Sequence, residues 1–230
     1  MPPPLKILSM LGLAVVFLLV GVLACAVLPT LIEARIAANL KERYGLAEGP
    51  VVKVYSEFPP ELLLGRADQV EVWIGSFTKE GIRLRNLHVD MEYVDVSVPG
   101  LLQGGLEREI RSGALTAEVP EESINQYLQE NELGLEGGEI EVRPGNVFYQ
   151  SANAFFGLPA SISLDLRVTS PGTIEVNPEG ATVGGFPLPP FLTKSLASGG
   201  RTLTVGDLPL GAELVSVEAQ NDALMIRAER

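Results

Sequence analysis

The sequence has one cysteine, Cys25, and one histidine, His88. A single thiol allows no intramolecular disulfide and no thiolate metal cluster. A Ser-His-Asp site would have to use His88, which falls among the polar positions of an alternating stretch, and no G-x-S-x-G elbow is present. His88 therefore reads as a solvated strand histidine. Gly-rich phosphate loops of either common spacing are missing too. Basic charge is also scarce: 17 Lys and Arg stand against 29 Asp and Glu, a net charge of −12, which argues against a nucleic-acid partner. Residues 1–45 hold four of those basic groups and two of the acidic ones, leaving 13 against 27, a balance of −14. Such a domain does not adhere electrostatically to anionic headgroups, so any lipid chemistry has to be apolar and enclosed. No cofactor or metal is implied.

What the sequence does have is alternation. The stretch from Ile82 to Val98 puts Ile82 and Leu84 on one face, then Leu87, Val89, Met91 and Tyr93, then Val94, Val96 and Val98. Period two means one wet face and one apolar face, and each change of phase needs an extra residue, as a bulge supplies, or a break. At about 3.3 Å per residue such a strand spans roughly 50 Å, so it belongs to a strongly bent sheet with an apolar face to cover. With 24 glycines and 17 prolines supplying turns, the expected fold class is α+β and β-rich: a long, strongly curved antiparallel sheet around a helix, preceded by an N-terminal hydrophobic helix.

Taken in order, the chain begins with an uncharged run from Ile7 to Leu28, 22 residues or about 33 Å as a helix. A retained transmembrane anchor over residues 1–28 is the first expectation. Ala24-Cys25-Ala26 also has the pattern of a signal cleavage site, and Val22-Leu23-Ala24-Cys25 loosely resembles a lipoprotein box that would use Cys25. All three place the rest of the chain on the extracytoplasmic side. Residues 29–45 read as an amphipathic helix opened by Pro29 and Thr30, carrying Ile32, Ile36, Leu40 and Tyr44 and stopped by Gly45. Residues 46–230 read as one domain. Strands are expected around Val52 and Val54, from Val70 to Gly75, near Leu106–Arg111, over Leu115–Val119, and as a pair joined at Pro144-Gly145. A helix begins at Pro120-Glu121-Glu122 with its acids toward the dipole. The cleanest strand is Ser161 to Val168, followed by turns at Pro171-Gly172 and at Asn177–Gly180. Gly185 to Pro190 is an apolar, proline-stiffened loop before a short helix, Phe191 to Ser198, and two strands near Leu214–Ala219 and Ala223–Ala228 end the chain. No repeat of 20–50 residues stands out.

This order of elements, with Pro-x-x-x-Leu-Leu-Gly ending at Gly65, the V-x-V-x-I strand from Val70 to Ile74, the long strand, the helix after Val119 and the Gly185–Pro190 loop, resembles the LmeA-like phospholipid-binding proteins of bacterial envelopes. More distantly it is similar to tubular lipid-binding domains, in which a long curved sheet wraps a helix and encloses acyl chains. The resemblance implies an envelope location, phospholipid binding and no enzymatic activity. Aromatic residues make up only 6% of the chain, with one tryptophan, and small or branched side chains leave room for an acyl chain. The candidate lipid contacts are Leu87, Val89 and Met91 on the long strand and Ile162, Leu164 and Leu166 on the cleanest one. The alternative is an envelope scaffold with a filled core and no lipid, binding protein partners that the sequence does not name. A lipid- or glycan-cleaving enzyme would need paired acids; Glu121-Glu122 reads instead as helix-start charge and Glu139/Glu141 as a solvated strand edge.

Overall fold

The alternating stretches become strands, and several run further than alternation alone marks out. The computed structural model describes residues 21, 27–58, 61–62, 65–79, 81–96, 108–130, 138–155, 157–189, 191–193, 201–204, 208 and 211–230. The N-terminal anchor or signal, Cys25 included, lies outside the described residues, as do Pro59-Pro60, Pro99-Gly100, Gly104-Gly105 and the segment 194–200. Among the described residues no helix is long and apolar enough to cross a membrane.

Helix α1 occupies 27–44 and β1 Val51–Tyr55. Then come β2 (Arg66–Lys79), β3 (Ile82–Val96) and β4 (Arg108–Pro120), followed by α2 (Glu121–Glu130). The second half holds β5 (Gly138–Arg143), β6 (Asn146–Phe155), β7 (Leu158–Ser170), β8 (Thr173–Val183), β9 (Phe186–Pro187), β10 (Arg201–Thr204), β11 (Glu213–Gln220) and β12 (Ala223–Glu229). One sheet runs β1-β2-β3-β4-β12-β11 and the other β10-β8-β7-β6-β5, with β9 added to β8. The fold is α+β and β-rich, built on two antiparallel sheets. Pro-Gly turns close two of the hairpins: Arg143 pairs with Asn146 around Pro144-Gly145, and Ser170 with Thr173 around Pro171-Gly172. Gly145 (φ 75°) and Gly172 (φ 74°) supply the positive φ that follows proline in such turns.

Contacts divide the chain into two compact units, one of residues 1–72 and 90–112, the other of 73–89 and 113–230. In the first, Ile36 and Leu40 of α1, Val52 and Val54 of β1, and Val70, Val72, Met91 and Val94 form the buried apolar set. Gly45 ends α1 at φ 60°, and the Leu46 amide donates to the Lys41 carbonyl at 3.0 Å, a Schellman closure. The helix extends back past Pro29 to 27, where the Thr30 hydroxyl donates to the Val27 carbonyl at 2.8 Å and so caps nothing. Tyr44 is exposed, because the cap turns the chain inward only at Leu46. In the second unit, Ile140, Val142 and Val147 form a buried cluster against which Ile124 and Leu128 of α2 pack, with Ala219 and Leu224 of the last hairpin.

The long strand is continuous from Ile82 to Val96, Val98 lying outside the described residues, and its changes of phase have a backbone cause. Asn86 and Tyr93, both at φ 51°, take the left-handed conformation at the two places where the apolar set moves from one parity to the other. Leu87, Val89 and Met91 are buried between these points, and Val94 is buried beyond the second. Tyr93, read from the sequence as a member of the apolar set, is instead the extra residue and is exposed, with the Arg111 guanidinium 5.5 Å above its ring. Asparagine tolerates this conformation better than most residues, and the Asn86 amide donates to Glu118 at 3.0 Å.

Other boundaries also differ. β2 does not stop at Gly75, and the two stretches expected around 106–111 and 115–119 are one strand, β4. Asn177–Gly180 is not a turn. β8 runs through it, with a register shift that pairs Ser163 with Gly180 but Leu164 with Pro178, which is where a strand accommodates a proline that has no amide to donate. Residues 191–193 are helical, as expected. Strand β10, paired with β8, is unanticipated.

A repeat longer than those sought in the sequence emerges from the edges. The Val54 amide of β1 donates to Glu33 of α1 at 3.0 Å, and the Val142 amide of β5 donates to Glu121 of α2 at 2.7 Å, each across 21 residues. Glu33, Ile36, Leu40, Val52 and Val54 match Glu121, Ile124, Leu128, Ile140 and Val142 at one offset of 88 residues (33 to 121). In each half a helix is followed by an edge strand whose amide it clasps, and then by a four-strand meander, β1-β2-β3-β4 or β5-β6-β7-β8.

Candidate functional site

Strands β5 to β8 make a one-sided surface. Cross-strand partners share a face in an antiparallel pair, so the pairs Ile140–Tyr149, Val142–Val147, Tyr149–Ile162, Val147–Leu164 and Ile162–Ala181 define one apolar face. The opposite face is wet: Arg143 pairs with Glu141, and Arg167 with Asp165, along their own strands. The apolar face is covered unevenly. At its β5 end the Ile140 cluster is closed by α2 and the last hairpin. Along β7 no apolar residue from Ile162 to Val168 reaches full burial, although their β8 partners Ala181 and Ile174 do.

The candidate contacts therefore separate. Leu87, Val89 and Met91 are 4%, 6% and 4% exposed, as in a closed core. Leu87 and Val89 belong to the second unit and Met91 to the first. Ile162, Leu164 and Leu166 are half-buried in the other sheet. Leu164 and Leu166 pack on the Ile140 cluster, and Ile162 lies further along the same face. A face with unfilled apolar surface has something left to bury, whereas a closed one does not.

Ser151 was not singled out from the sequence. It continues the parity of Val147 and Tyr149 onto the apolar face, pairs with Ala160, is 4% exposed, and its hydroxyl finds no hydrogen-bond partner among the described residues. Such a group costs about 1–3 kcal/mol unless something satisfies it. A cleft of about 530 Å³ nearby is walled by the cross-strand row Glu139, Gln150, Ser161 and Thr182 of the opposite, polar face, together with Ser151 and Ala160. The signal in the sequence was a serine at an apolar position, at the end of an otherwise regular alternation.

A model of the LmeA-like phospholipid-binding family matches residues 23–229. The chain belongs to that family. No curated protein and no solved structure matches it. In this LmeA-like chain one acid of each pair has a structural partner: Glu121 accepts the Val142 amide, and Glu141 accepts from Arg143 and from Gln150.

His88 is not freely solvated. Its ring stacks on Trp73 at 5.0 Å with 10° between planes, and Nε2 is buried without a partner among the described residues, because the indole of the neighbouring strand covers the polar face at that point. His88→Gln is expected to cost about 0.5–1.5 kcal/mol through the lost stack and to leave bound lipid unchanged. Thermal unfolding together with lipid analysis checks this; a folded variant stripped of lipid would move the Trp73–His88 pair into the binding site.

Proposed function

We propose that this protein binds a phospholipid, or a related acyl-chain lipid, without chemically altering it, and carries it within the bacterial cell envelope. The acyl chains lie along the half-covered apolar face of β7 and β8, against Ile162, Leu164 and Leu166, and the sheet curves to enclose them in the tubular manner. The Ser151 hydroxyl takes a lipid ester oxygen. The apolar run before α1 holds the domain at the extracytoplasmic side of the membrane. The observation that carries this reading is the contrast between the closed β3 core and the incompletely covered β7 face in a chain of the phospholipid-binding family. Native mass spectrometry of the protein purified from cells should find co-purified phospholipid. A lipid-free chain that also takes up none from vesicles would replace this reading with that of a scaffold.

A further inference from the structure

Tyr149 lies where only a glycine lets it lie. A Cβ added to Gly138 would stand 2.6 Å from Cε2 of Tyr149 and would overlap Cζ and the phenol oxygen. Gly138 is the cross-strand partner of Ser151, and Ile140 that of Tyr149, so the ring reaches diagonally from β6 to β5. Cβ atoms on one face of a sheet stand at about the same height. A side chain whose tip reaches a neighbour's Cβ position therefore runs along the sheet, whereas strand side chains ordinarily stand out from it. Gly138 has no positive φ that would itself call for glycine, and alanine would cost the strand less entropy. What the glycine supplies is room for the ring.

The direction of the lean decides what stays open. Tyr149 has Ile140 on one side and Ile162 on the other. Leaning toward β5, it packs on the Ile140 cluster, and the space above Ile162 stays clear of it. Upright, the ring would rise beside Ile162 and narrow the strip of half-buried apolar surface that continues through Leu164 and Leu166. The strand fixes where Cβ stands, so a raised ring has little room to retreat.

We propose that Gly138 and Tyr149 set the clearance of the lipid groove: the glycine takes the ring down onto β5, and an acyl chain runs along β7 over Ile162 in the space the upright ring would fill. Gly138 acts through Tyr149 and is a positioning residue. The inference rests on the phospholipid-binding reading and names the pair that decides whether a chain fits.

The test is phospholipid carried per full-length chain after incubation with phosphatidylcholine vesicles and re-purification. Native mass spectrometry reads the lipid, and thermal unfolding is followed on the same samples. Gly138→Ala should fold and carry at least about tenfold less lipid than the parent. Gly180→Ala should carry as much as the parent, because that glycine also sits in a strand without positive φ, yet a Cβ there meets nothing within 4 Å. Adding Tyr149→Val to Gly138→Ala should restore the lipid, since no ring remains to be raised. Equal lipid in Gly138→Ala and the parent overturns the proposal, as does a folded double variant that stays empty. If Gly138→Ala alone does not fold, the double variant decides: fold and lipid regained together support the proposal, and any other result overturns it. A parent that takes up no lipid fails the phospholipid-binding reading itself, a result distinct from all of these, and removes the proposal with it.

Discussion

Val89→Glu is expected to abolish folding, while Ile162→Glu leaves the protein folded and empties it of lipid. Val89 is 6% exposed in the closed stretch of β3, and a carboxylate confined there costs on the order of 5 kcal/mol. That consumes most of the roughly 5–15 kcal/mol that holds a domain together. Ile162 is half-buried on the incompletely covered face, between Tyr149 and Ala181. A carboxylate there reaches water once lipid has left, so thermal stability should fall only slightly while co-purified lipid disappears. Unfolding curves and lipid extraction on the same preparations decide the matter. If Ile162→Glu unfolds as completely as Val89→Glu, the β7 face is a filled core and the scaffold reading replaces the lipid one. If Val89→Glu folds and loses lipid, the binding surface is on β3.

The second large effect is expected at Asn125. Its side chain pairs with both backbone groups of one residue: Nδ2 donates to the Ile140 carbonyl at 2.8 Å, and the Ile140 amide donates to Oδ1 at 2.6 Å. Asn125→Ala leaves an N–H and a C=O unpaired at a part-buried strand edge, at a cost of about 2–4 kcal/mol. For a chain of this size that lowers the melting temperature by roughly 5–15 °C. Gln126→Ala, whose exposed amide reaches only Glu130, should stay within about 0.5 kcal/mol of the parent. Equal losses in the two variants would mean that α2 docks through Ile124 and Leu128 alone.

Alternation and Pro-Gly turns made most strands legible, because a sheet with one wet face writes period two directly into the chain. The changes of phase at Asn86 and Tyr93 were visible as such. Which residue at each point was the surplus one was not, since a tyrosine beside Met91 looks apolar whether it points inward or outward. The strand through Asn177–Gly180 was hidden by residues that ordinarily turn a chain, and only pairing across β7 shows that a register shift absorbs them. The glutamate clasps were hidden for a different reason: a carboxylate bonded to a distant backbone amide leaves no local pattern. Glu121 and Glu122 do stand in the first turn of α2, as their position after Pro120 suggests, but the partner of Glu121 in β5 lies 21 residues on. The six candidate contacts were chosen as apolar faces, and sequence does not say how completely a face is covered. That was the property separating β7 from β3.

The clasps also bear on how the protein behaves in company. Long, flat, unpaired strand edges are templates on which further copies add, as in fibres, and this chain is rich in long strands. Its edges are each blunted. Glu33 and Glu121 occupy amides of β1 and β5, β10 is four residues long, and β11 carries a register shift between Leu214 and Ser216. Two of these four safeguards are single carboxylates. Losing either glutamate would therefore open a growing end, and the damage would deepen with protein concentration in a way that no loss of core packing does.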